Sequence, residues 1–180
     1  MILRVFVSDV IAKKDKHGFD YYWVVGRLQS GIDVIIKDTC YDLRERIGRH
    51  IDMLISFMRS PYCELKRGIQ SQIFLPEKFY SVGLIDELLR KKRVVSTGNK
   101  RVIELTGEFI DSYTIPEKWA PLTQEKSFKV FFKEPSALKT EDGTYLLSPF
   151  HLRRRVPIDK IPQEVTIAGS LELEAWTPSQ

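Results

Sequence analysis

The sequence predicts a mostly β fold, a strongly bent antiparallel sheet with one or two short helices. Three observations carry this expectation. Apolar residues alternate with polar ones at a period of two along most of the chain, which places them on one face of a strand. Turn residues, among them Gly18, Gly31, Gly48 and Gly143, punctuate the apolar runs at strand-length intervals. Only one stretch, residues 81–93, has a helical period: Val82, Ile85, Leu88 and Leu89 share a stripe, Asp86 and Glu87 stand early, and Arg90 to Arg93 stand late, in the order that suits a helix dipole.

In order, residues 2–13 read as a long strand, Lys14 to Gly18 as a charged turn, and Phe19 to Leu28 as a returning aromatic-rich strand, together a long hairpin. Gln29-Ser30-Gly31 turns the chain into a third strand, residues 32–37. The charges around Leu43 and Ile47 suggest a helical turn over 41–48, stopped by Gly48. A strand follows with Ile51, Met53, Ile55 and Phe57 on its core face. Residues 59–70 carry Pro61, Gly68 and four charges and read as a loop, with a short strand expected over 71–75.

After the expected helix, Thr97-Gly98-Asn99-Lys100 has the chemistry of a hairpin turn between strands at 94–96 and 101–105. Pro116, Trp119 and Pro121 stiffen residues 114–123 into an expected linker. Beyond it, strands are predicted over 128–133, on both sides of Asp142-Gly143, and over 164–174, where Val165, Ile167, Gly169, Leu171 and Leu173 alternate with Thr166, Ala168, Ser170, Glu172 and Glu174. The strand order resembles that of an OB barrel, in pattern only. The division expected is a barrel-like lobe over 1–115 that includes helix 81–93, and a region 123–180 that forms a second small β lobe or completes the first sheet. Core positions expected are Val5, Val7, Trp23, Val25, Val34, Ile36, Ile51, Met53, Ile55, Phe57, Ile85, Leu88, Val102, Ile103, Val165, Ile167 and Leu171.

With 180 residues, 43% hydrophobic and 29% charged, the chain can bury a core of its own. No apolar run approaches the roughly 20 residues that span a bilayer, and the N-terminal run is broken by Arg4 and Asp9, unlike a signal peptide. Cys40 and Cys63 are expected as free thiols, which fits a cytoplasmic protein with no membrane partner. The net charge of +4 permits an anionic partner without requiring one.

Chemical motifs are absent. No Cys-x-x-Cys or His-x-x-x-His offers a metal site, no Gly-x-Ser-x-Gly offers a nucleophile elbow, and no glycine-rich loop offers a phosphate cradle. The expectation is a non-enzymatic binding module without cofactor or metal. Two arginine clusters point to nucleic acid, single-stranded or structured: Arg44, Arg46 and Arg49 in the turn between two strands, and Arg153, Arg154 and Arg155 in an extended segment between Pro149 and Pro157. Asp42, Glu45 and Asp52 are the acids that would neutralise the first cluster. The alternative is assembly, with itself or another protein: if Phe19, Tyr21, Trp23 and Val25 form the core face of the second strand, then Tyr22, Val24 and Leu28 are left for a second layer or a partner chain.

Overall fold

The computed structural model describes residues 2–58, 64–66, 93–95, 103–110, 112–123, 135–147 and 164–179. Strand β1 (Leu3–Lys14) pairs antiparallel with β2 (Asp20–Leu28), and β2 with β3 (Asp33–Asp38). After a 3₁₀ turn, Arg44–Arg46, β4 (His50–Met58) returns beside β1, with Leu3 opposite Met53 and Phe6 opposite His50. Two three-residue strands, β5 (Glu64–Lys66) and β6 (Arg93–Val95), pair with each other apart from the main sheet. Then come β7 (Ile103–Ile110), β8 (Ser136–Thr140), β9 (Gly143–Leu147) and the 15-residue β10 (Glu164–Pro178).

β10 closes the structure. It lies antiparallel to β4 and parallel to β3, so the pairings β1–β2–β3–β10–β4–β1 form a closed five-stranded mixed barrel of OB type with extra strands. This is the bent, OB-like barrel that the strand pattern predicts, with parallel pairs added to the expected antiparallel ones. The parallel contact between β3 and β10, through Leu171–Ile36 and Glu172–Lys37, arises because more than a hundred residues separate the two strands, and a parallel neighbour needs such a crossover rather than a tight turn. Irregularities between Val7 and Asp9 in β1 and between Leu173 and Ala175 in β10 bend these strands as a small barrel demands.

Alternation fills the barrel with Val5, Val7, Val24, Leu28, Val34, Ile36, Ile51, Met53, Ile55, Phe57, Leu171 and Leu173, all buried. A second circuit shares two walls with the first: β4 pairs parallel with β9, β9 with β8, β8 with β7, and β7 with the first half of β10. Residues 51–57 of β4 are therefore buried on both faces, where the sequence predicts one core face and one mixed. Leu54 looks into a smaller cluster with Trp119, Leu146 and Ala175. Every strand of the eight-stranded sheet has a neighbour on each side.

Several expectations meet a different outcome. Val24 and Leu28 are barrel interior and Tyr22 packs against that core, so the face reserved for a partner chain is covered by the protein itself. Phe19, placed by alternation on the face of Tyr21 and Trp23, is 71% exposed at the hairpin tip, and Val25, expected in the core, is only half-buried. Tyr21 and Trp23 are buried on the opposite face from Val24, in an edge-to-face contact with ring centroids 5.9 Å apart. Because both faces of β2 are apolar, periodicity alone could not tell which one fills the barrel.

Within the expected loop 59–70, residues 64–66 form β5, and its partner is β6. Residues 94–95 therefore pair with β5, while β7 pairs with β8 and β10; the expected turn and the inner ends of its flanks, 96–102, lie outside the described residues. Residues 117–123 are a 3₁₀ turn, Glu117–Trp119, and a one-turn helix, Ala120–Thr123, docked through buried Trp119 rather than free as a linker. The strands expected at 71–75 and 128–133, and helix 81–93 up to Arg93, lie outside the described residues, as do Ile85, Leu88 and Val102; the side chains of Ile103, Val165 and Ile167 do as well.

Candidate functional site

The ends of β1, β3 and β10 and the starts of β2 and β4 meet at one end of the barrel, and there the chain turns from β3 to β4. Asp38, the last residue of β3 and fully buried, builds this turn. Its carboxylate accepts hydrogen bonds from the backbone N–H groups of Cys40 (2.9 Å), Tyr41 (2.8 Å) and Asp42 (2.9 Å). Asp42 sits in the left-handed region, φ 60°, one that short acidic side chains tolerate. Buried Leu43 plugs the barrel below, and Arg46 N–H donates to its carbonyl at 2.9 Å. The turn is fastened to β1 at the irregularity: Gly48 N–H donates to Val7 O (2.7 Å), and Val7 N–H donates to Arg49 O (2.9 Å).

This scaffold brings Arg44, Arg46 and Arg49 onto one short turn. They are not equivalent. Arg44 forms a two-pronged ion pair with Asp42, Nε to Oδ1 at 2.8 Å and Nη2 to Oδ2 at 2.6 Å, while its guanidinium lies 5.4 Å from the centre of the Tyr22 ring. The Arg44 hydrogen bonds hold the Asp42 carboxyl below the usual carboxylate range, and Asp42 raises Arg44 in turn. Arg46 lies 4.8 Å from the centre of the Trp176 ring and has no carboxylate within ion-pair distance among the described residues. Arg49 is exposed, and neither Glu45 nor Asp52 neutralises it.

Aromatic groups gather around these cations. Tyr41, 39% exposed, donates its hydroxyl to the backbone carbonyl of Glu174 at 2.6 Å, and His50 is tilted against Phe6 with centroids 5.1 Å apart. Tyr22 and Trp176, each half-buried, form the floor beneath two guanidinium groups. Trp176 was missed because the alternation of the last strand was followed only to residue 174, and the irregularity at 173–175 breaks the period just before it. Tyr22 drew notice for its strand face, not as a seat for arginine. Arg153, Arg154 and Arg155 lie outside the described residues.

A second charged cluster is structural. Asp52, 6% exposed, accepts from Arg4 Nε and Lys118 Nζ, each at 3.0 Å. Burial raises its carboxyl, but the hydrogen bonds from Arg4 and Lys118 outweigh this and leave it below the ordinary range. Cys40 is a free, exposed thiol. Among the described residues no three of His, Cys, Asp and Glu gather so as to hold a metal ion, and no helix is long and apolar enough to cross a membrane. No protein-family model, curated protein or solved structure matches this chain.

Proposed function

We propose that this protein is a non-enzymatic module of the cytoplasm that binds single-stranded or structured nucleic acid, with the turn between β3 and β4 as its contact surface. The observation that carries the reading is Arg46: its guanidinium lies over the Trp176 ring, 4.8 Å from the ring centre, with no carboxylate partner among the described residues, beside exposed Arg49. A guanidinium oriented by a ring keeps its edge donors for phosphate oxygens, and ordering it beforehand lowers the entropy lost on binding. Arg44 has a different part. With Asp42 holding both of its prongs, it shapes the surface more than it adds charge.

With a net charge of +4, affinity is modest, roughly micromolar at physiological salt, and falls steeply as salt rises. The assembly alternative finds little support in the residues first named for it, since Val24 and Leu28 fill the barrel and no strand of the main sheet is left unpaired. The test is a fluorescence-anisotropy titration of a labelled oligothymidylate over a series of salt concentrations. Arg46→Ala with Arg49→Ala should weaken binding and flatten the log–log salt slope by about 1.4, at about 0.7 per phosphate contact on a single strand. Arg153→Ala, Arg154→Ala and Arg155→Ala together measure the share of the second cluster. No binding by the wild-type protein at low salt and high concentration would refute the reading.

A further inference from the structure

The β1–β2 hairpin is an arm with an uncovered ring at its tip. The last β2–β3 pair is Tyr22–Asp38, and the hairpin continues past it through Lys13–Tyr21 and Lys14–Asp20 without a third strand among the described residues. Its tip is held in one shape. Asp15 N–H donates to Phe19 O (2.9 Å), Gly18 N–H donates to Asp15 O (3.0 Å), and the Asp15 carboxylate accepts from His17 N–H (2.8 Å) and Phe19 N–H (2.9 Å). Phe19, so fixed, is 71% exposed, the most exposed of the large hydrophobic residues described. A bare phenyl ring held in water on a tied turn brings the fold nothing by burial, and its faces are open to a ligand.

The charges beside it choose the ligand. Asp15 is occupied by its own turn and Asp20 by Lys14 at 2.8 Å, which leaves Lys13 and Lys16 without an ion pair among the described residues. A flat ring flanked by two cations without an ion-pair partner complements a polymer of planar bases and phosphates, because every base has a face to stack and every linkage a charge. The arm also stands at the arginine end of the barrel. Phe19 is three residues from Tyr22, on whose ring Arg44 lies, about 10 Å along a strand, and Asp15 opposite it is eight residues along β1 from Val7, which is bonded to Arg49, about 26 Å, a span of several nucleotides.

We infer that Phe19 is a stacking residue for a nucleic-acid base, with Lys13 and Lys16 on the adjoining phosphates, so that one strand is held between the hairpin tip and the arginine turn. This rests on the reading that the arginine turn binds nucleic acid, and the test separates the two. Oligothymidylate and an abasic oligomer of equal length are titrated with wild type, Phe19→Ala, Phe19→Trp and the Arg46→Ala/Arg49→Ala pair. Phe19→Ala should weaken oligothymidylate binding roughly 5- to 20-fold with an unchanged salt slope, leave abasic binding as it was, and be rescued by Phe19→Trp. The arginine pair should weaken both ligands alike.

Phe19→Ala equal to wild type on oligothymidylate, or an equal loss on both ligands, overturns the stacking role while the arginine reading stands. So does binding of anionic vesicles that depends on Phe19 when oligonucleotide binding does not. If the wild type binds neither oligomer, both ideas fall together.

Discussion

At the residue scale, three carboxylates of the barrel sit in different surroundings. Asp38 and Asp42 stabilise the turn as acceptors, whereas Glu174 lies at the β10 irregularity with burial pushing its carboxyl above the ordinary range; the Ser56 hydroxyl bond at 2.7 Å opposes this shift and neighbouring Glu172 adds to it. A carboxyl whose folded pKa is raised favours folding while protonated. Its contribution is complete below the ordinary glutamate value of about 4.3 and is lost as pH rises through the higher folded value. Glu174→Gln keeps an oxygen for Ser56 and removes the charge. In thermal melts it should raise Tm above wild type at pH 7 to 8, with the gap closing below about pH 4; a variant less stable than wild type at pH 8 would contradict this account.

At the element scale, what was legible and what was not follows from periodicity. The β1–β2 hairpin, β3, β4, the Asp142–Gly143 hairpin and the last strand announce themselves through alternation and turn chemistry, and the arginine turn through charges around Leu43. Partners do not. The parallel contacts of β10 with β3 and β4 with β9 join residues far apart in sequence, and no local signal marks them. Residues 117–119 read as linker because of the flanking prolines, yet buried Trp119 and the Lys118–Asp52 bond at 3.0 Å hold that turn to β4.

Asp52→Asn should cost about 1–2 kcal/mol at pH 7, less than a fully enclosed pair because Arg4 and Lys118 both reach water. With its folded pKa lowered, Asp52 stabilises above the ordinary aspartate value of about 3.9, and that stability is lost as pH falls through the lower value. Denaturant melts should therefore show the gap between variant and wild type at pH 7 and its loss in strong acid. An equal gap at pH 7 and pH 2 would mean that the ion pairs are not its cause.

At the scale of the whole molecule, two closed circuits sharing β4 and β10 give every strand of the main sheet a neighbour on each side over part of its length, so recognition falls to the barrel's ends, its loops and the projecting hairpin. The two ends differ. At one, Ser30 N–H and Oγ donate to buried Asp142 at 2.7 and 2.6 Å, and Gly143, φ 147°, sits where any Cβ would press into Leu3, so this end is closed by the protein's own hairpin. The other carries Arg46, Arg49, Trp176, Tyr41 and the Phe19 arm. Ultraviolet cross-linking of oligothymidylate followed by mass spectrometry of the adducts tests the central claim most directly. Adducts should fall on Phe19, Tyr22, Tyr41 or Trp176, at the arginine end; adducts confined to peptides around Ser30 and Asp142, at the opposite end, would contradict it.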